Sequence, residues 1–215
     1  MDKRFWAVIG VLLIGFLGIV FINNGKEKVV SEPTNHVSGN VASKVTLEEY
    51  GDYQCPACAG FAPVTTEVRQ KYKDTVKFQF RNLPLTQIHP NAYAAARAAE
   101  AADKQGKFWE MHDLLYTQSN WTAWTNATNP EPFFEQYAKQ LNLNVPTFKT
   151  DAKSEAINNR IASDVAAFDA TKQQKATPAF FLNGKYIKSS ELVDAQGQPS
   201  VEMFSKILDA ALAKK

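Results

Sequence analysis

The sequence predicts a mixed α/β domain that opens with a parallel βαβ unit and stands behind a single N-terminal transmembrane helix. Three features carry that expectation. An uncharged apolar run lies at the extreme N-terminus. A strand–helix–strand pattern spans residues 45–81, and a series of apolar-faced helical stretches precedes a last hairpin and helix. The chain of 215 residues is 45% hydrophobic and 21% charged, within the globular range, so a wholly disordered chain is excluded. Net charge is +2, from 24 basic and 22 acidic residues, and gives no reason to expect a nucleic-acid partner. Only two cysteines are present, which excludes a disulfide-stapled miniprotein and a four-cysteine zinc site.

Residues 1–22 form the predicted signal-anchor segment. Phe5 to Ile22 holds eighteen residues and no charge. As a helix it would span about 27 Å, close to a bilayer's hydrocarbon core. It is longer than an ordinary signal h-region, and no small-x-small cleavage pattern or lipidation cysteine follows, which favours a retained anchor over a cleaved signal peptide. Either way the remainder is expected outside the cytoplasm: on the cell membrane as a single-pass protein, or secreted or periplasmic after cleavage. Residues 23–43 read as a flexible linker. They contain Glu32-Pro33-Thr34-Asn35 and Ser38-Gly39-Asn40 without apolar periodicity, and His36 is expected to face solvent there.

Residues 44–215 form the predicted exported domain. Val45 to Tyr50 reads as a strand, Gly51 to Gln54 as a turn, and Cys55-Pro56-Ala57-Cys58 as the opening of a helix to about Tyr72. Proline fits the first helical turn, where its missing N–H would be unpaired anyway. Val76 to Arg81 alternates apolar and polar as a second strand should. Helical stretches follow at 91–105, 107–117, 132–141 and 154–172, the first rich in alanine. Thr177-Pro178-Ala179-Phe180-Phe181-Leu182 reads as a strand, Asn183-Gly184 as a hairpin turn, and Val201 to Leu212 as a closing amphipathic helix.

Cys55-Pro56-Ala57-Cys58 is the chemically informative motif. A metal site would need about four ligands, and His36, His89 and His112 are not spaced as partners; no metal or cofactor is expected. A structural disulfide closing so short a loop would add only about 2 kcal/mol. Two inert thiols remain an alternative. The redox reading has a mechanism: at a helix N-terminus unpaired N–H groups and the macrodipole favour a Cys55 thiolate. Cys58, one turn inside, could then resolve a mixed disulfide formed on Cys55. Thr177-Pro178 is placed for a cis bond at a strand start, and if it lies beside Cys55 the Thr177 backbone could pair with an extended substrate. The alternative is an ordinary trans proline opening an edge strand. Glu49, near the end of the first strand, could ferry a proton to or from Cys58 if it points inward, with Glu48 competing for that position.

Glu49 to Cys58 (EYGDYQCPAC) resembles the active-site segment of DsbA-like thiol–disulfide oxidoreductases. So do Asn82-Leu83-Pro84-Leu85 with His89-Pro90, Gly106 to His112, and Thr177 to Gly184, in the same order over roughly residues 40–213. The resemblance implies a thioredoxin-like fold with a helical insertion at approximately 85–172. It implies Cys55 as attacking and Cys58 as resolving cysteine, Pro178 as the cis-proline and Glu49 as the buried acid. Thr177, Pro56 and Ala57 are the residues expected to meet substrate. Strongly oxidising members carry histidine where this chain has Ala57, so a milder couple is expected. The implied activity is oxidation of cysteine-containing exported proteins, with a membrane redox partner; a reductase or isomerase, or a redox-inactive tethered peptide-binding module, are the alternatives.

Overall fold

A computed structural model describes residues 32–214. Its sheet grows from the alternation noted above. In β3 (Lys77–Asn82) Phe78, Phe80 and Asn82 are buried while Lys77, Gln79 and Arg81 are not. The strand pairs in parallel with β2 (Thr46–Gly51), setting Leu47 beside Phe78 and Glu49 beside Phe80. Parallel neighbours need a crossover, and α1 (Pro56–Lys71) supplies it. On the other side of β2, β4 (Ala179–Leu182) runs antiparallel with Glu49 opposite Phe180, and β5 (Lys185–Ile187) returns through the Asn183-Gly184 turn. With β1 (His36–Gly39) the order is β1-β3-β2-β4-β5.

Between β3 and β4 the chain is helical: α2 (Ala92–Asp103), α3 (Phe108–Tyr116), α4 (Gln118–Thr125), α5 (Glu131–Gln140), α6 (Val145–Ala152) and α7 (Glu155–Ala170). Alanines 95, 96, 98, 99, 101 and 102 of α2 are buried, and their small side chains let the surrounding helices close on it. Phe134, Tyr137, Phe148, Ile157 and Ile161 fill the space around them. Asn144 and Ser154 cap α6 and α7, each accepting a backbone N–H of the first turn. The closing helix α8 (Val201–Leu212) lays Phe204 and Leu208 against Phe61, Val68 and Phe180, so α1 and α8 cover one face of the sheet. Phe168 of α7 covers Tyr50 and Phe181 on the other.

The predicted linker needs correction where it is described. Residues 34–39 are part of the domain. β1 pairs with β3, setting His36 beside Phe80. The Thr34 backbone N–H and hydroxyl donate to the buried Asp164 carboxylate at 2.7 and 2.6 Å. His36, expected in solvent, is 3% exposed. Its ring stacks on Phe108 at 3.5 Å, Nε2 meets Glu100, and Nδ1 lies 3.2 Å from Asp103. Arg160 completes this cluster at 3.2 Å from Glu100 and 3.0 Å from Asp103. The segment is polar because its partners are polar, and those partners lie on β3, α2 and α7, beyond the reach of any local periodicity. The anchor segment and residues 23–31 lie outside the described residues. Among the described residues, no helix is long and apolar enough to cross a membrane.

Candidate active site

β2 ends at Gly51, and the Asp52 side chain gathers the loops beyond it. Its buried carboxylate accepts the backbone N–H of Gln54 and of Leu85, both at 2.7 Å, and sits 2.8 Å from His89 Nδ1. Its carbonyl accepts the Cys55 N–H at 3.0 Å. Cys55 is thereby held as the N-cap residue of α1, with Pro56 in the first turn. Trp121 of α4 braces the same turn, its Nε1 donating to the Tyr53 carbonyl at 2.8 Å.

Both cysteines are free thiols, and their surroundings differ sharply. Cys55 keeps 7% of its surface and Cys58 none, while Pro56 and Ala57 are exposed on the rim. The Thr177–Pro178 bond is cis and enters β4 beside the dithiol, with Cys55 Sγ donating to the Thr177 carbonyl at 3.4 Å. The Cys55 thiol is lowered from 9.0 to about 5. A hydrogen bond from Cys58 is the largest cause, acting against the cost of burial; the Cys58 and Ala57 amides help, and the nearby Thr177 hydroxyl, without a hydrogen-bond partner in the thiol form, also favours the thiolate. Cys58 moves the other way. Burial raises it well above the usual thiol range, and its bond to Cys55 and the nearby Glu49 add to that.

The alternation in β2 decides between the two glutamates. Glu48 points to the face of Arg81 and pairs with it. Glu49 lies on the face covered by α1, where burial lifts its carboxyl from 4.5 to about 7 against the opposing pull of Arg69. Part of the Glu49 surface lines a small cavity shared with Thr65, Arg69 and His112. The geometry therefore brings Cys55, Cys58, Thr177, Pro178 and Glu49 into one site, with Pro56 and Ala57 at its edge. A thiolate beside a second thiol and a buried acid can exchange one disulfide for another.

Several participants escape sequence reasoning. Asp52 and His89 act as a brace between separate loops. Arg69 and Asp113 meet across two helices at 2.6 Å. Only the position of Asp52, three residues before a helix-opening cysteine, is a usable signal.

A family model described as Thioredoxin matches residues 31–210. Among curated proteins, Na(+)/H(+) antiporter NhaA 3 of Salinispora tropica is 39% identical over 156 residues, 73% of this chain and 22% of that protein. NhaA 1 of Mycolicibacterium gilvum is 35% identical over 153 residues, 70% and 24% respectively. The chain thus spans less than a quarter of the length of these two relatives. Among solved structures, alpha-DsbA1 of Wolbachia pipientis aligns with a TM-score of 0.68 at 20% identity, covering 87% of this chain and 96% of that one. Oxidised BdbD of Bacillus subtilis aligns with a TM-score of 0.65 at 22% identity, covering 86% and 98%. Likenesses at that identity speak for the fold.

Proposed function

The chain belongs to the family described as Thioredoxin, and from that premise we propose that it is a DsbA-like thiol–disulfide oxidoreductase acting as an extracytoplasmic oxidase, introducing disulfides into exported proteins through Cys55 and Cys58. The transport activity in the antiporters' name is not carried over, because the shared portion is under a quarter of those two proteins.

The observation that carries the reading is the contrast between the two sulfurs beside Thr177. In the oxidised protein a substrate thiolate attacks Cys55 Sγ; the Cys55–Cys58 bond breaks, and Cys58 leaves with the electron pair. Glu49, protonated near neutral pH, supplies the proton that makes Cys58 a thiol. A second substrate thiolate then attacks the substrate sulfur bonded to Cys55, forming the substrate disulfide and releasing Cys55 as thiolate. Two electrons pass from substrate to protein. The Cys55 thiolate, which favours the reduced protein, supports this direction. With solvent at the open rim allowed for, that preference is on the order of 2 kcal/mol at pH 7, roughly 40 mV toward the oxidising side. Thr177 and Pro178 offer the backbone edge on which an extended substrate would pair, and Pro56 and Ala57 the rim it would cross.

The reading includes a membrane anchor at residues 1–22 and a membrane redox partner that takes the electrons onward. The methyl side chain of Ala57 favours a second reading within the same chemistry, since it adds neither charge nor hydrogen bond to the thiolate, and a milder couple would serve a reductase or isomerase. Replacing Cys58 with Ser tests the proposal. The variant should accumulate mixed disulfides between Cys55 and exported proteins, and the wild-type potential should lie above that of the surrounding thiol pool. Absence of trapped adducts would leave a peptide-binding module; a potential below the pool would make the protein a reductase.

A further inference from the structure

Arg69 sits near the end of α1, away from the dithiol in sequence and close to Glu49 in space. Both line a cavity of about 20 Å³ together with Thr65, Gln79, Trp109 and His112. That volume holds one water, and the lining offers it several polar partners. Arg69 is fixed from the far side. Its Nη2 lies 2.6 Å from Asp113 Oδ1 and 3.2 Å from Thr66 Oγ1, and its guanidinium stacks 4.2 Å from the Trp109 ring. The Arg69 side chain is 12% exposed and that of Asp113 is 47% exposed, so the pair runs from the cavity to the surface.

We propose that Arg69, held by Asp113, is a positioning residue for the exchange reaction: across this cavity it sets how firmly Glu49 keeps the proton destined for Cys58. The inference rests on reading Glu49 as the acid that serves Cys58. Among the described residues, the groups that face Glu49 are Cys58 and Arg69 of α1, Tyr53 of the turn, and His112 and Tyr116 of α3. Burial keeps His112 and both tyrosines neutral at physiological pH. β3 and β4 contribute Gln79, Phe80 and Phe180 to the cavity, none of them charged. Arg69 is then the lasting positive charge in this set, and Asp113 offsets part of it. A cation lowers the proton affinity of a neighbouring carboxyl, and a counter-anion weakens that effect.

A brace between α1 and α3 with no electrostatic role would respond alike to loss of either member. The proposed role gives opposite responses. The test uses the full chain in detergent micelles, reduced, with the Glu49 carboxyl titration followed by infrared spectroscopy and identified by its loss in Glu49→Gln. Arg69→Met should raise the midpoint by about one pH unit, and Asp113→Asn should lower it, each through one altered charge near the carboxyl. Arg69→Lys keeps the charge and should stay close to wild type, which keeps the test decisive if Arg69→Met fails to fold. Shifts of the same sign in the two charge-removing variants, no shift in either, or a Lys variant that behaves like a loss of charge would overturn the proposal. The rate of Cys58 alkylation is read in parallel. If the Glu49 midpoint moves as expected while Cys58 reactivity stays put, Arg69 controls Glu49 but Glu49 does not serve Cys58.

Discussion

Replacing Glu49 with Gln should stabilise the protein, and only above a defined pH. The carboxyl titrates at about 7 in the folded chain against 4.5 as its ordinary value, because the fold withholds water from its charged form. For an acid whose proton is held more tightly by the folded state, the penalty is absent below about 4.5 and complete above about 7. A gap of about 2.5 units corresponds to about 3 kcal/mol. Glutamine has the same shape and no charge to bury. At pH 8 the variant should therefore gain up to about 3 kcal/mol, and at pH 4 almost nothing. With a urea slope of about 2 kcal/mol/M, the unfolding midpoint should rise by about 1.5 M at pH 8. Urea titrations of the reduced chain at both pH values provide the assay. An equal gain at both, or a loss at pH 8, would show that Glu49 is not held as a reluctant anion. The same variant should slow proton delivery to Cys58, so stability and turnover should move in opposite directions.

Two other substitutions probe separate parts of the structure. Thr177→Val removes a buried hydroxyl that has no hydrogen-bond partner in the thiol form and that favours the Cys55 thiolate once it forms. One charge-assisted bond is worth about 1.5–3 kcal/mol, so the Cys55 pKa should climb by about one to two units in a thiolate-absorbance titration, and an unchanged midpoint would remove Thr177 from the account. His36 is raised above 6.5: burial opposes its charge, but Asp103 and Glu100 outweigh that. Its contribution is complete below pH 6.5 and fades as pH rises through the elevated value. His36→Gln should accordingly cost about 3 kcal/mol or more near pH 5.5 and clearly less near pH 9, measured by denaturant unfolding. A cost that does not vary with pH would mean the ring acts by packing alone.

The parts of the fold legible in the sequence are those whose signal is local. The Lys77–Asn82 alternation, the proline at the start of α1 and the Asn183-Gly184 turn each declare themselves within a few residues. So does the dithiol, because a helix N-terminus acts on whatever residue occupies it. Glu49 was legible by parity, two residues on from the buried Leu47. The Gln118–Thr125 and Val145–Ala152 helices were not, since each is eight residues long and too short to show an apolar period; Asn144 and Pro146 look like a loop and prove to be a cap and a first turn. β1 carries no apolar stripe at all. Arg69 and Asp113 lie 44 residues apart, and nothing in either neighbourhood points to the other.

The strand that begins at His36 also decides where the chain can be trimmed. Cutting at residue 44, ahead of the first apolar strand, would strip Thr34 from Asp164 and His36 from Glu100, two carboxylates whose side chains have no exposed surface. Both would then line an open trench beside Phe108, with Arg81, Asn82 and Arg160 left to balance them. The autonomous folding unit therefore starts no later than Thr34, and what reads as linker is the keystone of the helical layer.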